Sequence, residues 1–288
     1  RDRPGKTYLI FGKASGWRNR RNTSLLFADA YFIGEWAGDF AGGSVAGAGD
    51  VNGDNFDDFL IGAPYNDEKD MAAGQVYLIF GKKRGWSWQN HLSTAGASFW
   101  GEDDSDRAGI SVAGAGDVNG DMYDDIVIGA SFDEEGDLSA GQTYLIFGKP
   151  SGWNRDTDLV GANASFIGED KYDSSGDYIS GGGDVNGDGF DDIIIGAYAN
   201  PSGSGTKGGQ VYIILGKNNG WSMDQDLSTA EASFLGEYNN DCAGQSLMGG
   251  GDINGDGYDD ILIGAPGNGE GGGDWAGQTY LSFPDHNT

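Results

Sequence analysis

The sequence predicts an all-β propeller of four-stranded antiparallel blades, and three observations predict it. An Asp-rich stretch of nine residues occurs four times, at 50–58, 117–125, 184–192 and 252–260, with starts 67, 67 and 68 residues apart. A period of that size marks a modular fold. Each period holds four short apolar or small-residue runs separated by turn formers, and no segment carries a helical period. Glycine accounts for 54 of 288 residues, yet it sits at fixed places between these runs, unlike in collagen or a disordered tract.

The second full module shows the order of its elements. Residues 109–116, Gly-Ile-Ser-Val-Ala-Gly-Ala-Gly, are small and flat, as in a strand where another backbone approaches closely (strand a). The Asp-rich loop follows. Residues 125–130, Asp-Ile-Val-Ile-Gly-Ala, form a short β-branched strand b, and 142–148, Gln-Thr-Tyr-Leu-Ile-Phe-Gly, form strand c. A link containing Gly152 and Trp153 leads to strand d at 164–169, Ala-Ser-Phe-Ile-Gly-Glu. Modules start near 42, 109, 176 and 244, and residues 1–288 read as one domain.

The strand tally is uneven. Strands a and b occur four times, strand d four times (at Phe32, Phe99, Phe166 and Phe234), but strand c five times, at 8–12, 77–81, 144–148, 212–216 and 280–284. Counting metal loops gives four blades, with the N-terminal c and d strands at about 7–34 helping to close the ring. The surplus c strand leaves two readings: one terminal copy lies outside the ring, or the chain is part of a larger propeller, for example a seven-bladed one. Residue 1 falls inside a module, as a processed or trimmed start would.

The unit Ala-Gly-x-Ser-Val-Ala-Gly-Ala-Gly-Asp-Val-Asn-Gly-Asp-x-x-Asp-Asp-x-x-Ile-Gly-Ala-Pro resembles the FG-GAP repeat, which builds the N-terminal β-propeller of integrin α chains. The resemblance covers nearly the whole chain. The Phe-Gly half reads Ala41-Gly42, Ala108-Gly109, Ser175-Gly176 and Ala243-Gly244, and Gly-Ala-Pro is kept only at 62–64 and 264–266. Integrin-type propellers have seven blades, so blade number does not carry over from the resemblance.

The loop chemistry points to a hard cation. Ca²⁺ takes six to eight oxygens, and positions 1, 3, 5 and 9 of each loop supply side-chain oxygen, with a backbone carbonyl at position 7. The candidate ligands are Asp50, Asn52, Asp54, Phe56 (carbonyl) and Asp58; Asp117, Asn119, Asp121, Tyr123 and Asp125; Asp184, Asn186, Asp188, Phe190 and Asp192; Asp252, Asn254, Asp256, Tyr258 and Asp260. Gly53, Gly120, Gly187 and Gly255 allow the bend at position 4, and Val or Ile at position 2 anchors the loop. An EF-hand is excluded, because position 12 is Ile61, Ile128, Ile195 or Ile263 in place of a bidentate Glu. Oxygen-only ligands disfavour Zn²⁺ and Cu²⁺. The metal-free alternative is a set of Asx-turns, against which three clustered carboxylates repel. The Asp at position 8 (Asp57, Asp124, Asp191, Asp259) reads as solvent-facing or as a loop-holding hydrogen-bond partner, not a ligand.

A net charge of −28 disfavours nucleic acid and anionic membrane as partners. Candidate ligand carboxylates account for twelve of the negative charges, and four Ca²⁺ ions would return eight, so metal explains part of the acidity. Cys242 is the lone cysteine, so no intramolecular disulfide forms. No stretch approaches transmembrane length and no secretory leader opens the sequence. His91 and His286 occupy unrelated module positions, and no catalytic constellation is visible; the carboxylate clusters repeat, whereas an active site would break the repeat. Trp17, Trp86, Trp153 and Trp221 recur at nearly fixed spacing and read as packing between blades, with ligand stacking as the alternative.

Blade geometry separates the loops onto two faces. The a–b loops and c–d links share one and scarcely vary. The b–c loops (65–73, 131–140, 198–208, 266–276) and the d–a loops (36–39, 103–106, 170–174, 238–241) share the other and vary strongly, mixing acids with Trp36, Tyr65, Phe132, Tyr172, Tyr198, Tyr238 and Trp275. The expectation is a non-enzymatic, calcium-binding recognition or adhesion module whose variable face binds a protein, as the integrin resemblance implies. The alternative is a carbohydrate-binding lectin of propeller fold, and a third reading is an accessory domain of a hydrolase. Extracellular or cell-surface placement follows from weak calcium sites, which fill where calcium is near millimolar.

Overall fold

The computed structural model describes residues 4–15, 22–201, 207–269 and 276–282. In chain order the strands are β1 (Lys6–Leu9), β2 (Ala30–Ile33), β3 (Ser44–Gly49), β4 (Asp58–Ala63), β5 (Gln75–Ile79), β6 (Gln89–His91), β7 (Ala97–Trp100), β8 (Ser111–Gly116), β9 (Asp125–Ala130) and β10 (Gln142–Ile146). They continue as β11 (Thr157–Asp158), β12 (Ala164–Ile167), β13 (Tyr178–Gly183), β14 (Asp192–Ala197), β15 (Gln210–Ile214), β16 (Gln225–Asp226), β17 (Ala232–Leu235), β18 (Ser246–Gly251), β19 (Asp260–Ala265) and β20 (Gln278–Ser282). Among the described residues there is no α-helix, only 3-10 turns of three residues.

The architecture is propeller-like and all-β, with about four blades. Three complete antiparallel blades, β3-β4-β5-β7, β8-β9-β10-β12 and β13-β14-β15-β17, carry the a, b, c and d strands. The partial sheets β1-β2 and β18-β19-β20 flank them. Successive a strands pack side by side, β3 on β8, β8 on β13 and β13 on β18. Their small residues make this possible: a Cβ on Gly114 would stand 2.7 Å from the Gly47 carbonyl oxygen, and one on Gly181 2.6 Å from that of Gly114. The b strands are buried on both faces, every residue of β9 and β14 included, because each blade is covered by a neighbour on either side. That is why they read as continuous Ile/Val runs with no alternation. The core tyrosines of strand c, Tyr77, Tyr144 and Tyr212, are the largest fully buried side chains.

One feature departs from the sequence expectation. The c–d links contribute an extra strand: β6, β11 and β16 run parallel to β2, β7 and β12, the d strands of the blades before them. The link thus pairs with a d edge that would otherwise be open. Among the described residues the N-terminal c and d strands, β1 and β2, pair with each other and with β6, and β20 pairs with β19.

Metal loops and the variable face

Each Asp-rich loop leaves strand a through a bulge. The a–b register shifts between Gly47 and Gly49, Gly114 and Gly116, Gly181 and Gly183, and Gly249 and Gly251. Position 1 then folds the loop onto itself: Asp50 accepts from the Asp54 and Asn55 amides at 3.0 and 2.7 Å, and Asp117 and Asp184 repeat this with 121–122 and 188–189. Position 5 accepts from the amide two residues on, as Asp54 does from Phe56 at 3.0 Å. Position 9 turns inward. Asp58 accepts from the Val51 amide and, at 2.7 Å, from the Gly81 amide, while Asp125 and Asp192 do the same with Val118 and Gly148, and with Val185 and Gly216. This carboxylate ties loop, strand b and the end of strand c together. Asn52 at position 3 donates to Asp58 at 3.2 Å.

Among the described residues, no three Asp, Glu, His or Cys side chains converge as a ready-made ion cage. The donor chemistry nonetheless fits a hard cation. Burial first, then repulsion from the carboxylates at positions 5 and 1, pushes Asp58 up to about 6, Asp125 to about 8 and Asp192 to about 6, against the pull of their backbone donors. Each hydrogen-bonded carboxylate oxygen keeps a second lone pair, and a bound cation would relieve this repulsion.

Positions 7 and 8 join one loop to the next, position 8 through the hydrogen-bonding role that was one of its two sequence readings. Asp124 accepts from the Asp50 amide at 2.7 Å, Asp191 from Asp117 at 2.8 Å and Asp259 from Asp184 at 3.0 Å. The bulge glycine makes room for it: a Cβ on Gly49, Gly116 or Gly183 would stand 2.0 Å from that carboxylate oxygen, and φ there is 71° to 75°. The position-7 rings of Tyr123, Phe190 and Tyr258 lie over Gly53, Gly120 and Gly187 of the preceding loop. The position-2 anchor depends on the following blade in the same way. Val51 and Val118 are fully buried, and each offers its carbonyl to the next c–d link, through Lys149 and Lys217. Ile253, at the C-terminal end, is 51% exposed. The signal for these contacts lies roughly 70 to 100 residues away, outside any local motif.

The tryptophans that recur in the c–d links pack between blades. Trp153 meets Phe80 and Phe99 of the blade before it, Trp221 meets Phe147 and Phe166, and Trp86 meets Phe32 and Phe59. Each indole N–H donates to the carbonyl of Lys82, Lys149 or Lys217, whose ammonium lies over the same ring. Trp17, Trp275 and His286 lie outside the described residues.

On the opposite face the d–a and b–c loops interlock. A buried Asp in each d–a loop, Asp39, Asp106, Asp173 or Asp241, accepts from the amide three residues earlier. In three modules it also accepts from a buried b–c asparagine: Asn66 to Asp39, Asn200 to Asp173 and Asn268 to Asp241. The second full module breaks this pattern with Asp133, which is 1% exposed beside Asp106 at 3%. An amide donor is thereby replaced by a second carboxylate. Burial and then the Asp133 charge push Asp106 up to about 7, and burial also raises Asp133. These two form part of a cleft of about 520 Å³ lined by Asp70, Asp103, Asp104, Asp106, Asp133, Glu134 and Glu135. Of the surface aromatics, Tyr65 and Phe132 are engaged by the Arg107 guanidinium, at 4.9 and 3.8 Å from the ring centres. Trp36, Tyr172 and Tyr238 are at least half exposed. Cys242 is buried in the d–a loop.

The model of the FG-GAP repeat matches residues 41–79, 108–146, 178–214 and 243–282, which together cover just over half of the chain and coincide with strands a to c of each module. The chain is 28% identical over 245 residues to integrin alpha pat-2 of Caenorhabditis elegans, covering 80% of this chain and 18% of that protein. It is 30% identical over 250 residues to integrin alpha-V of Gallus gallus (85% and 21%) and 30% identical over 191 residues to integrin alpha-PS2 of Drosophila melanogaster (63% and 13%). The chain therefore spans about a fifth or less of the length of these curated relatives.

Proposed function

The chain belongs to the FG-GAP repeat family, and from that premise we propose that it is a non-enzymatic recognition module that binds a protein partner through the acidic cleft on its variable face. The observation that carries this reading is Asp133. Three modules close the corresponding position with an Asn–Asp hydrogen bond, whereas this one buries two like charges at a cost in stability. A scaffold residue would follow the repeat; a break in the costly direction is the mark of a site kept for binding. The cleft is lined entirely by acids, so the partner segment carries Lys or Arg.

The metal loops act as scaffold in this reading. Asp50, Asn52, Asp54, the Phe56 carbonyl and Asp58, with their equivalents, would hold Ca²⁺, which would neutralise the loop carboxylates and stiffen the face opposite the cleft. Sites of this composition fill best outside the cell, where the proposal places the protein. Among the described residues no helix is long and apolar enough to cross a membrane.

The test is binding of the purified chain to arrayed basic, acidic and neutral peptides, with a glycan array beside it. Retention on basic peptides is expected, weakening as salt rises and lost in an Asp103→Asn/Glu134→Gln double variant. Equal retention on all peptides would overturn the reading. Saturable glycan binding lost in Trp36→Ala would replace it with the lectin alternative, to which the exposure of Trp36, Tyr172 and Tyr238 gives some room.

A further inference from the structure

Strand c opens on a glutamine, with a tyrosine two residues on, and the pair meets a polar pocket between blades. In β5 the Gln75 amide donates to Asp156 at 3.2 Å, and its Oε1 accepts from the Tyr77 hydroxyl at 2.7 Å. In β10 the Gln142 amide is anchored the same way, to Asp224 at 3.2 Å. Its Oε1 is thereby aimed where the Tyr144 hydroxyl would donate. That hydroxyl has turned instead to Asp133, at 3.0 Å. Gln142 is fully buried, and its Oε1 is left with no hydrogen-bond partner.

A second acceptor is stranded beside it. Glu102 follows β7 on the blade before, and Asp133 and Tyr144 are among the neighbours that act on its charge. Its Oε1 is also buried with no hydrogen-bond partner. In the third complete blade Gln210 donates to the equivalent Glu169 at 3.4 Å, but here the glutamine amide is committed to Asp224. Basic side chains do not make up the deficit. The ion pairs among the described residues involve none of Glu102, Asp106 and Asp133. Lys69 comes within 2.7 Å of the Glu102 carbonyl, yet its charge is paired with Asp158. The pocket therefore has more acceptors than donors. Each buried acceptor without a donor costs about 1–3 kcal/mol, and oxygens that lack a proton to share are suited to a cation.

We propose that Glu102, Asp133 and the Gln142 Oε1 bind one Ca²⁺ ion between these two blades, at a site separate from the Asp-rich loops. Three carboxylates do not converge here. Two carboxylates and an amide oxygen do, and their charge matches a divalent ion. Water entering from the cleft completes the six to eight oxygens that calcium takes. Asp133 also lines that cleft, which gives the ion a way in. The site belongs to this module alone. Where Asn66, Asn200 or Asn268 stands in place of Asp133, the second negative charge is missing. Tyr144 keeps its hydrogen bond to Asp133 and positions that carboxylate. Asp103 and Glu134, whose removal tests the cleft as a peptide site, are not ligands, so either reading can fail without the other.

Crystals of the full chain grown with Mn²⁺, an anomalously scattering probe for oxygen sites, test this. An anomalous peak between Glu102, Asp133 and Gln142 is expected. Its absence, whether or not the loops are occupied, would overturn the proposal. In solution, equilibrium dialysis against calcium should give one ion fewer for Glu102→Gln than for wild type, whatever number the loops take. Equal numbers would also overturn it. A thermal readout separates the ion from repulsion alone. Asp133→Asn removes both the repulsion and the site, so its gain in Tm over wild type at pH 8 should be present in EGTA and smaller in saturating calcium. The loops contribute equally to both proteins and cancel. The same gain in both conditions would show that no ion sits at Asp133.

Discussion

At Asp133 one residue sets a stability cost that pH should reveal. Asp106 and Glu102 are both pushed up to about 7, by burial first and by neighbouring acids after it. A carboxyl group with a raised folded pKa binds protons that the unfolded chain has already released near pH 4, so its contribution to stability is full below that and is lost as pH climbs through about 7. Asp133→Asn removes one charge and restores the amide that Asn66, Asn200 and Asn268 supply. We expect it to stabilise the fold by about 1–3 kcal/mol at pH 8 and by much less at pH 5. Melting curves at the two values check this; an equal gain at both would show that packing, not charge, sets the effect. A second residue, Gly116, tests the joint between loops. Gly116→Ala places a Cβ 2.0 Å from the Asp191 carboxylate at a φ of 75°, at an expected cost of about 2–4 kcal/mol. Adding Asp191→Ala should recover the clash but not the backbone strain, so the two changes couple in a double-mutant cycle.

Each blade is half of two interfaces, and the tryptophan in its link is the clearest sign of this. Trp153→Ala removes an indole that touches Phe80 and Phe99 and satisfies the Lys149 carbonyl. A loss of about 2–4 kcal/mol is expected, toward the low side of a large-to-small core change because the ring is half-buried. Trp36→Ala, at 61% exposure, should stay within about 0.5 kcal/mol by chemical denaturation. If both cost the same, the blade-packing role of Trp153 is wrong. Strands a to d, the inter-blade tryptophans and the division into two loop faces were legible in the sequence, because each repeats with its own residue pattern. The parallel strands β6, β11 and β16 were not, since two or three polar residues such as Thr157 and Asp158 have no period and pair only because a d edge lies beside them. Nor was the reach of Asp124 to the Asp50 amide, a contact across 74 residues. The candidate cleft was legible only as variable loops; that the Asn-to-Asp change at 133 falls at a buried position required the neighbouring Asp106 to be seen.

For the whole molecule the question is what holds a series of blades together at a net charge of −28. The four Asp-rich loops stand along one face, joined through Asp124, Asp191 and Asp259, so a cation held in one loop stiffens the donor and acceptor of the next. Burial first, and then repulsion from the carboxylates at positions 1 and 5, raises Asp58, Asp125 and Asp192 at position 9. Calcium bound only to the folded chain adds stability by mass action, about 2.7 kcal/mol for each site at a hundred times its dissociation constant. Chelation with EGTA should therefore lower Tm substantially, calcium should restore it, and magnesium should restore it less because it demands a tighter octahedron. The loops are linked in series, so the loss on chelation should appear as one cooperative shift rather than four steps. An unchanged melt after metal removal verified by elemental analysis would mean that backbone donors alone, such as the Gly81 and Val51 amides on Asp58, satisfy these carboxylates. The loops would then be Asx-turn scaffolds in their own right.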